Sequence, residues 1–373
     1  DNLLYGKLDT IDETGTVDTA GLTDDDSVGS ETSREGLSAK LKEMLEASGV
    51  RDELLRVHGV APGSKAEGIV RLIYENLNGL NSRMSDNEKL EKARELIHDL
   101  EADIVCYNEH RLNLMHKDNK NGFSQLFRGG EADIRTISAH NRHEGKEVGR
   151  VQEGGTAMLL YGTLIEQMDM EESGRDGSGL GRWVYMTFVG EGGLVTRVVC
   201  CYNPCYNKNA TSRTSYQQHR RYFINKEHDD TCPRTRFKQD LVELLKKWRE
   251  QGDRIIMCMD ANEDIYWKSI GRTLTDEEGL NMREVVGNYT GQKIGATYFR
   301  GSKPIDAVWA TPDVEVVGAC VMPAGFGVGD HRLFQVDFRA TSLVGAAPPK
   351  IVRPQSRRLN TKIPRIEQKY NQI

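Results

Sequence analysis

Short apolar runs that stop abruptly at a polar side chain constrain this sequence more than anything else in it. The sharpest spans Asp253 to Asp264, where Ile255, Ile256, Met257, Cys258 and Met259 end at Asp260, followed by Ala261, Asn262, Glu263 and Asp264. Five apolar residues between polar flanks read as a strand buried on both faces. A carboxylate and a carboxamide just past its end stand at the rim of a core, where the sites of open α/β sheets gather. Taken alone, Asp260 and Asn262 equally suit a turn. Glu263 and Asp264 read as solvated loop acids.

The same punctuation recurs along the chain. Strands are expected at Gly68 to Glu75, Ala102 to Asn108, Gly155 to Leu160, Arg182 to Val189, Leu194 to Cys201, Ala296 to Phe299, Ile305 to Ala310, Val314 to Val321 and Leu333 to Phe338. Asn76 and Asn78 follow one of them, Glu109 a second, Tyr202 and Asn203 a third; Asp306 lies within another, and Asp330-His331 precedes the last. Between them, Ser85 to Glu88 forms a capping box ahead of Leu90, Ala93, Ile97 and Leu100. Pro233 opens a long helix with Phe237, Leu241, Leu244, Leu245 and Trp248 along one stripe. Residues 113–154 read as long loops around one short strand, and residues 273–286 as loop then helix.

Composition decides what surrounds this framework. The 373 residues divide into an acidic, apolar-poor head at 1–33, read as disordered; a helical extension at 34–62, with Leu37, Leu41, Met44 and Leu45 on one face and a second short helix at Asp52 to Val57; a large domain at 63–340; and a basic tail at 341–373. Net charge is −6, yet the tail carries Lys350, Arg353, Arg357, Arg358, Lys362, Arg365 and Lys369 against Glu367. That asymmetry suits contact with nucleic acid or another acidic partner, or a solvated linker. The seven cysteines sit mostly in apolar runs, without zinc spacing. With no apolar run of bilayer length and no leader pattern, an intracellular, nuclear location without a membrane partner is expected. Oligomeric state is not legible.

One polar strand end is a turn; six of them suggest a pocket. Acids, amides, a tyrosine and a histidine suit cleavage of a phosphate ester, whose negative charge needs a hard divalent cation with oxygen ligands. Glu109, Asn76 and Asp330 are the candidate ligands. His331 beside Asp306 makes an acid–base pair, with Asp260 aligning the water and Asn262 and Tyr202 donating to phosphoryl oxygens. Asn78, Arg111, Arg220 and Arg221 are candidate substrate contacts; Arg111 would equally pair with Glu109 at an exposed strand end. Residues 205–232 and the start of the Pro233 helix, with Arg213, Arg220, Arg221, Tyr222, Phe223, Arg234 and Arg236, read as a loop gripping a nucleic-acid backbone or as a solvated helix.

In order, these blocks resemble the endonuclease/exonuclease/phosphatase superfamily with its DNase I-like fold, from about Gly68 to Phe338. Asn76-Leu77-Asn78-Gly79-Leu80 is similar to its Asn-X-Asn-Gly-Leu block, Gly154-Gly155-Thr156-Ala157 to its Gly-Gly-X-Ala strand start, and Tyr202-Asn203-Pro204 to its Tyr-X-Pro block. Asp260-Ala261-Asn262 is similar to Gly-Asp-X-Asn without the leading Gly, and Gly329-Asp330-His331 to Ser-Asp-His. His110 stands where a small Thr is usual. The resemblance implies a two-sheet α/β sandwich, Mg²⁺ or Mn²⁺ as cofactor, and phosphoester hydrolysis. It places Glu109 and Asn76 at the metal, Asp260 and Asn262 at the nucleophile and phosphate, and Asp306 with His331 as the charged pair. Within the superfamily the motifs look most like endonucleases of retroelements and abasic-site nucleases, which implies DNA as partner. A lipid, inositol-phosphate or RNA phosphoesterase and a non-catalytic binding module with a decayed site are the alternatives.

Overall fold

The computed structural model describes residues 52–80, 88–116, 119, 122–128, 133–143, 149–276 and 279–346. The acidic head, the Leu37–Leu45 helix, residues 85–87 of the capping box and most of the basic tail lie outside these.

Two mixed sheets make up the fold. The first orders its strands β1 (His58–Gly59), β12 (Val316–Val321), β13 (Phe334–Arg339), β2 (Ile69–Asn76), β3 (Ile104–Asn108), β5 (Thr156–Tyr161) and β4 (Ile134–Ala139). The second runs β10 (Arg283–Glu284), β11 (Asp306–Ala310), β9 (Arg254–Asp260), β8 (Val195–Tyr202), β7 (Trp183–Val189) and β6 (Met168–Arg175). The expected two-sheet sandwich is the fold observed. Apolar runs become strands here because both faces are covered: Ile255 through Met259 are all fully buried.

Each sheet holds one parallel pair, β2 with β3 and β8 with β9; every other pairing is antiparallel. A parallel neighbour needs a crossover, and helices supply it. Helix α1 (Glu88–Asp99) joins β2 to β3, packing Leu90, Ala93 and Ile97 inward. Helices α3 (Ser215–Tyr222) and α4 (Pro233–Glu250) join β8 to β9, with Phe237, Leu241, Leu245 and Trp248 buried on α4. A single apolar core unites the sheet interface with the α4 stripe. A second fills the space between the first sheet, α1 and α2 (Gly122–Phe127).

This topology explains why the polar strand ends converge. Parallel neighbours release their C-terminal ends on the same side, so Asn76 ends level with Asn108, and Tyr202 level with Asp260. Strand β11 runs antiparallel to β9 and begins at Asp306, directly opposite Asp260. Strand β13 likewise begins beside the end of β2, just after His331.

Several sequence expectations are corrected. Ala296 to Phe299 is not a strand; it contributes only a bridge between Tyr298 and His331. Residues 273–286 lie across helix α5 (Ser269–Thr275), β10 and the start of α6 (Val285–Thr290). Residues 113–154 include α2 as well as β4, and β6 was not foreseen. Asp52–Leu55 is a 3₁₀ turn rather than a helix to Val57.

Candidate active site

Polar bridges close the sandwich at the end where these strands finish. The Asn76 amide, from the first sheet, donates to Asp260 Oδ2 in the second at 2.8 Å. The Tyr74 hydroxyl crosses in the same direction to Asp306 Oδ1 at 3.0 Å. Asn108 donates to Tyr74 Oη at 3.1 Å and to the Cys201 carbonyl at 2.9 Å. Buried polar groups that all find partners hold one geometry, because any alternative leaves a donor or carboxylate unpaired in the core.

The centre is a charged pair. His331 Nδ1 donates to Asp306 Oδ2 at 2.7 Å, which leaves Nε2 for chemistry. The Thr297 hydroxyl donates to the same Oδ2 at 2.7 Å and accepts from the Ile305 and Asp306 amides. Burial works against a charged imidazole, but the charge and hydrogen bond of Asp306, with the charges of Asp260 and Asp330, raise His331 to about 10. The surrounding carboxylates thus favour the imidazolium form. Asp260 also moves up: burial, and then the charge of Asp306, push it well above the usual carboxylate range. Asp260, Asp306 and His331 present ligand atoms within 4.8 Å of one another. Both Asp306 oxygens already accept hydrogen bonds, one from Tyr74 and the other from His331 and Thr297.

Around it, Tyr202 is buried beside Glu109 and Asp260, and burial first, then those two charges, push its hydroxyl well above its ordinary value. Asn262 turns back on its own loop: its backbone amide donates to Asp260 Oδ1 at 2.8 Å and its side chain to the Asn203 carbonyl at 2.8 Å. Asn78 donates to Asp330 Oδ2 at 2.8 Å, leaving Asp330 Oδ1 buried without a partner. Asn78, Glu109, Arg111 and Asn262 all hold φ between 47° and 53°, a backbone region that costs a non-glycine residue about 1–2 kcal/mol. Among the described residues the other non-glycine residues with positive φ are Glu101, His228 and Asn281. Four of these seven residues lie just past the ends of β2, β3 and β9.

Two departures from the resembled motifs have steric causes. His110 is buried and neutral, its Nε2 donating to the Ala139 carbonyl and its Nδ1 accepting from the Leu112 amide; burial lowers it to about 3. It occupies the space above Gly155, where an added Cβ would lie 2.4 Å from Nε2. At Gly329 a Cβ would lie 1.9 Å from the Asn76 carbonyl oxygen, so no serine fits.

The structure thus brings together Asn76, Asn78, Glu109, Tyr202, Asp260, Asn262, Asp306, Asp330 and His331. Asn76 serves as the inter-sheet bridge, its amide oxygen accepting from the Asn78 amide; Glu109 and Asp330 are the better-placed donors to a cation. Arg111 is salt-bridged to Glu109 at 2.9 Å. Arg220 is exposed on α3, while Arg221 donates to the Ser212 carbonyl and staples its own loop. The inner face of α3 is not solvated, since Gln217, Gln218 and His219 are buried. Nor are the two loop acids: Asp264 is buried and accepts from the Tyr266 amide, and Glu263 pairs with Arg234 at 2.8 Å. Sequence reading missed Tyr74, Asn108 and the support role of Thr297. Tyr74 and Asn108 lie within apolar strands, where a hydroxyl or amide gives no signal until the opposing sheet is placed.

No protein-family model and no curated protein matches the sequence. Solved structures do. The catalytic domain of human Nocturnin, determined with a bound sulfate anion, aligns with a TM-score of 0.50 at 13% identity, covering 76% of this chain and 96% of that one. An AP endonuclease from Leishmania major aligns at 0.51 with 13% identity, covering 76% and 93%. An endonuclease/exonuclease/phosphatase protein from Bacteroides vulgatus covers 72% and 98% at 14% identity and 0.47. With its two sheets, paired parallel strands and converging strand ends, the chain shares the fold of the Nocturnin catalytic domain and of the Leishmania major AP endonuclease.

Proposed function

We propose that this protein is a divalent-metal-dependent phosphodiester hydrolase and that it cleaves DNA as an endonuclease. The observation that carries the reading is the buried Asp306–His331 pair at 2.7 Å directly beside Asp260. Their environments separate the roles. Asp260, raised by burial, is the base that takes a proton from the attacking water. His331, in its favoured imidazolium form, places charge on a phosphoryl oxygen as it gains negative character. Tyr202 donates a hydrogen bond to the phosphate; the Asn262 amide, spent on the Asn203 carbonyl and Asp260 Oδ2, steadies that loop, and Asp306, held by Tyr74 and Thr297, orients the imidazole. Glu109 and Asp330 fit a hard cation: both offer oxygens, and Asp330 Oδ1 lacks any other partner. Mg²⁺ or Mn²⁺ there would neutralise the diester.

DNA, and a place as the nuclease module of a retroelement-like protein, are the finer parts of the reading; they rest on the motif series and on the basic side chains around α3. Among the described residues no helix is long and apolar enough to cross a membrane. Nicking of supercoiled plasmid in Mg²⁺, lost in Asp260→Asn and His331→Ala, is the expected result. Release of inorganic phosphate from monoesters instead would place the protein with the phosphatases. Inactivity on duplex, abasic and single-stranded substrates, together with no heat on Mn²⁺ titration, would leave a binding module.

A further inference from the structure

Two exposed aromatic side chains leave the same end of the second sheet as the site. Trp267 lies in the loop after β9 and is 66% exposed; Tyr206 lies in the loop after β8 and is 63% exposed. The other three tryptophans, Trp183, Trp248 and Trp309, are buried. An indole left in water forfeits burial worth about 1.5–3 kcal/mol for a large apolar side chain, so its exposure calls for a use.

Trp267 is held in place rather than left loose. Ala261 and Ile265 bond through their amides to the Ile305 and Pro304 carbonyls, just ahead of Asp306. Asp264 then accepts from the Tyr266 and Trp267 amides at 3.1 and 3.2 Å, turning the chain outward. Only Tyr266 lies between Ile265 and Trp267 and only Ile305 between Pro304 and Asp306, so Trp267 stands within about 20 Å of the charged pair along the backbone. Lys293, from the loop after α6, places Nζ 4.6 Å from the Trp267 ring centre and 5.0 Å from that of Tyr266. Lys268 and Lys293 are both exposed. On the neighbouring loop Tyr206 packs edge-on against Tyr216 at 5.1 Å, with Lys208 exposed nearby.

We infer that these two loops form a stacking rim for the unpaired bases of a nucleic acid whose phosphodiester enters the site. An exposed indole with an ammonium over its ring offers its open face to a base and the ammonium to that base's phosphate. A lipid or inositol phosphate has no π-face to offer, and in a duplex each base face is already covered by its neighbours. The inference rests on the hydrolase reading for where the scissile phosphate sits. It adds the substrate class: a strand that is single, or frayed, next to the cut.

The burial of the other tryptophans makes the test selective. With chelator present to prevent cleavage, oligothymidylate added to the full chain should shield the exposed tryptophan from acrylamide. Trp267→Ala should weaken oligothymidylate binding by roughly tenfold, and Lys293→Ala should lower the salt slope by about one. Hydrolysis of bis(4-nitrophenyl) phosphate in Mn²⁺ should be unchanged in both variants. The rim is overturned if oligothymidylate leaves quenching unchanged, if Trp267→Ala binds as tightly as wild type, or if duplex binds as tightly as single strand. If the wild type hydrolyses no diester yet oligothymidylate still shields Trp267, the hydrolase reading falls and the nucleic-acid rim stands.

Discussion

Glu75 Oε1 accepts the Gly329 backbone amide at 2.6 Å, tying the end of β2 to the loop that presents Asp330 and His331. The Val328 amide joins it at 2.7 Å, and an added Cβ at Gly327 would meet the same oxygen at 2.1 Å. The loop is moulded onto this carboxylate, whose second oxygen is buried without a partner.

That contact sets a pH dependence. Burial, opposed by the two amides and by Lys89 and Lys92, raises Glu75 to about 7. A carboxyl whose folded pKa lies above its unfolded value binds protons preferentially in the fold. Its contribution to stability is therefore full at low pH and is lost as pH rises through 7. Glu75→Gln keeps an acceptor for both amides and cannot ionise. Its stability relative to wild type should improve by about 1–3 kcal/mol between pH 5 and pH 8 in urea melts. A difference that does not vary with pH would show that the carboxylate is not desolvated. Glu75→Ala, which leaves both amides unpaired, should lower kcat more than it changes KM.

The charged pair gives the largest kinetic effects. His331→Ala and Asp306→Asn should each reduce kcat by roughly 10²- to 10⁴-fold with little change in KM. Thr297→Val removes one support of Asp306 and should cost about tenfold. Equal rates for wild type and Asp306→Asn would remove the pair from the mechanism.

Cation binding should follow the carboxylates with oxygens to spare. Glu109→Gln and Asp330→Asn should each weaken Mn²⁺ affinity tenfold or more by calorimetry, and Thr297→Val should not. Chelation should abolish nicking, and added Mg²⁺ should restore it. Retention of full Mn²⁺ affinity in the Glu109→Gln, Asp330→Asn double variant would move the ion elsewhere.

Gly155 and His110 should prove coupled. Gly155→Ala places a Cβ into the imidazole at a residue with φ of +91°, which should cost about 3 kcal/mol or more. Combining it with His110→Ala should return the steric part and leave about 1–2 kcal/mol of backbone strain. A strictly additive double variant would mean that the ring moves aside freely.

The framework was readable because its strands are apolar without alternation, as in Ile255 to Met259, and because Asp260, Asp306 and His331 interrupt such runs. Strand β6 escaped because it is a half-exposed edge, rich in Asp169, Glu171 and Glu172, and its pairing with β7 shifts register partway. Ala296 to Phe299 looked like a strand, yet Thr297 spends its hydroxyl on Asp306 and its neighbours bridge only to the His331 loop. Asp264 looked solvated because composition cannot say which loop amides fold back on it. Glu75 gave no warning, since a lone acid in an apolar strand reveals its partners only when residues 328–329 are placed.

The span of the site has a consequence during synthesis. Tyr74 and Asn76 are made early and His331 some 250 residues later, yet they act within one cluster, and β2 is paired on one side by β13. Contacts so distant in sequence form late. A nascent chain therefore has no closed cluster of Tyr74, Asn76, Asp260, Asp306 and His331 until β13 has left the ribosome and docked.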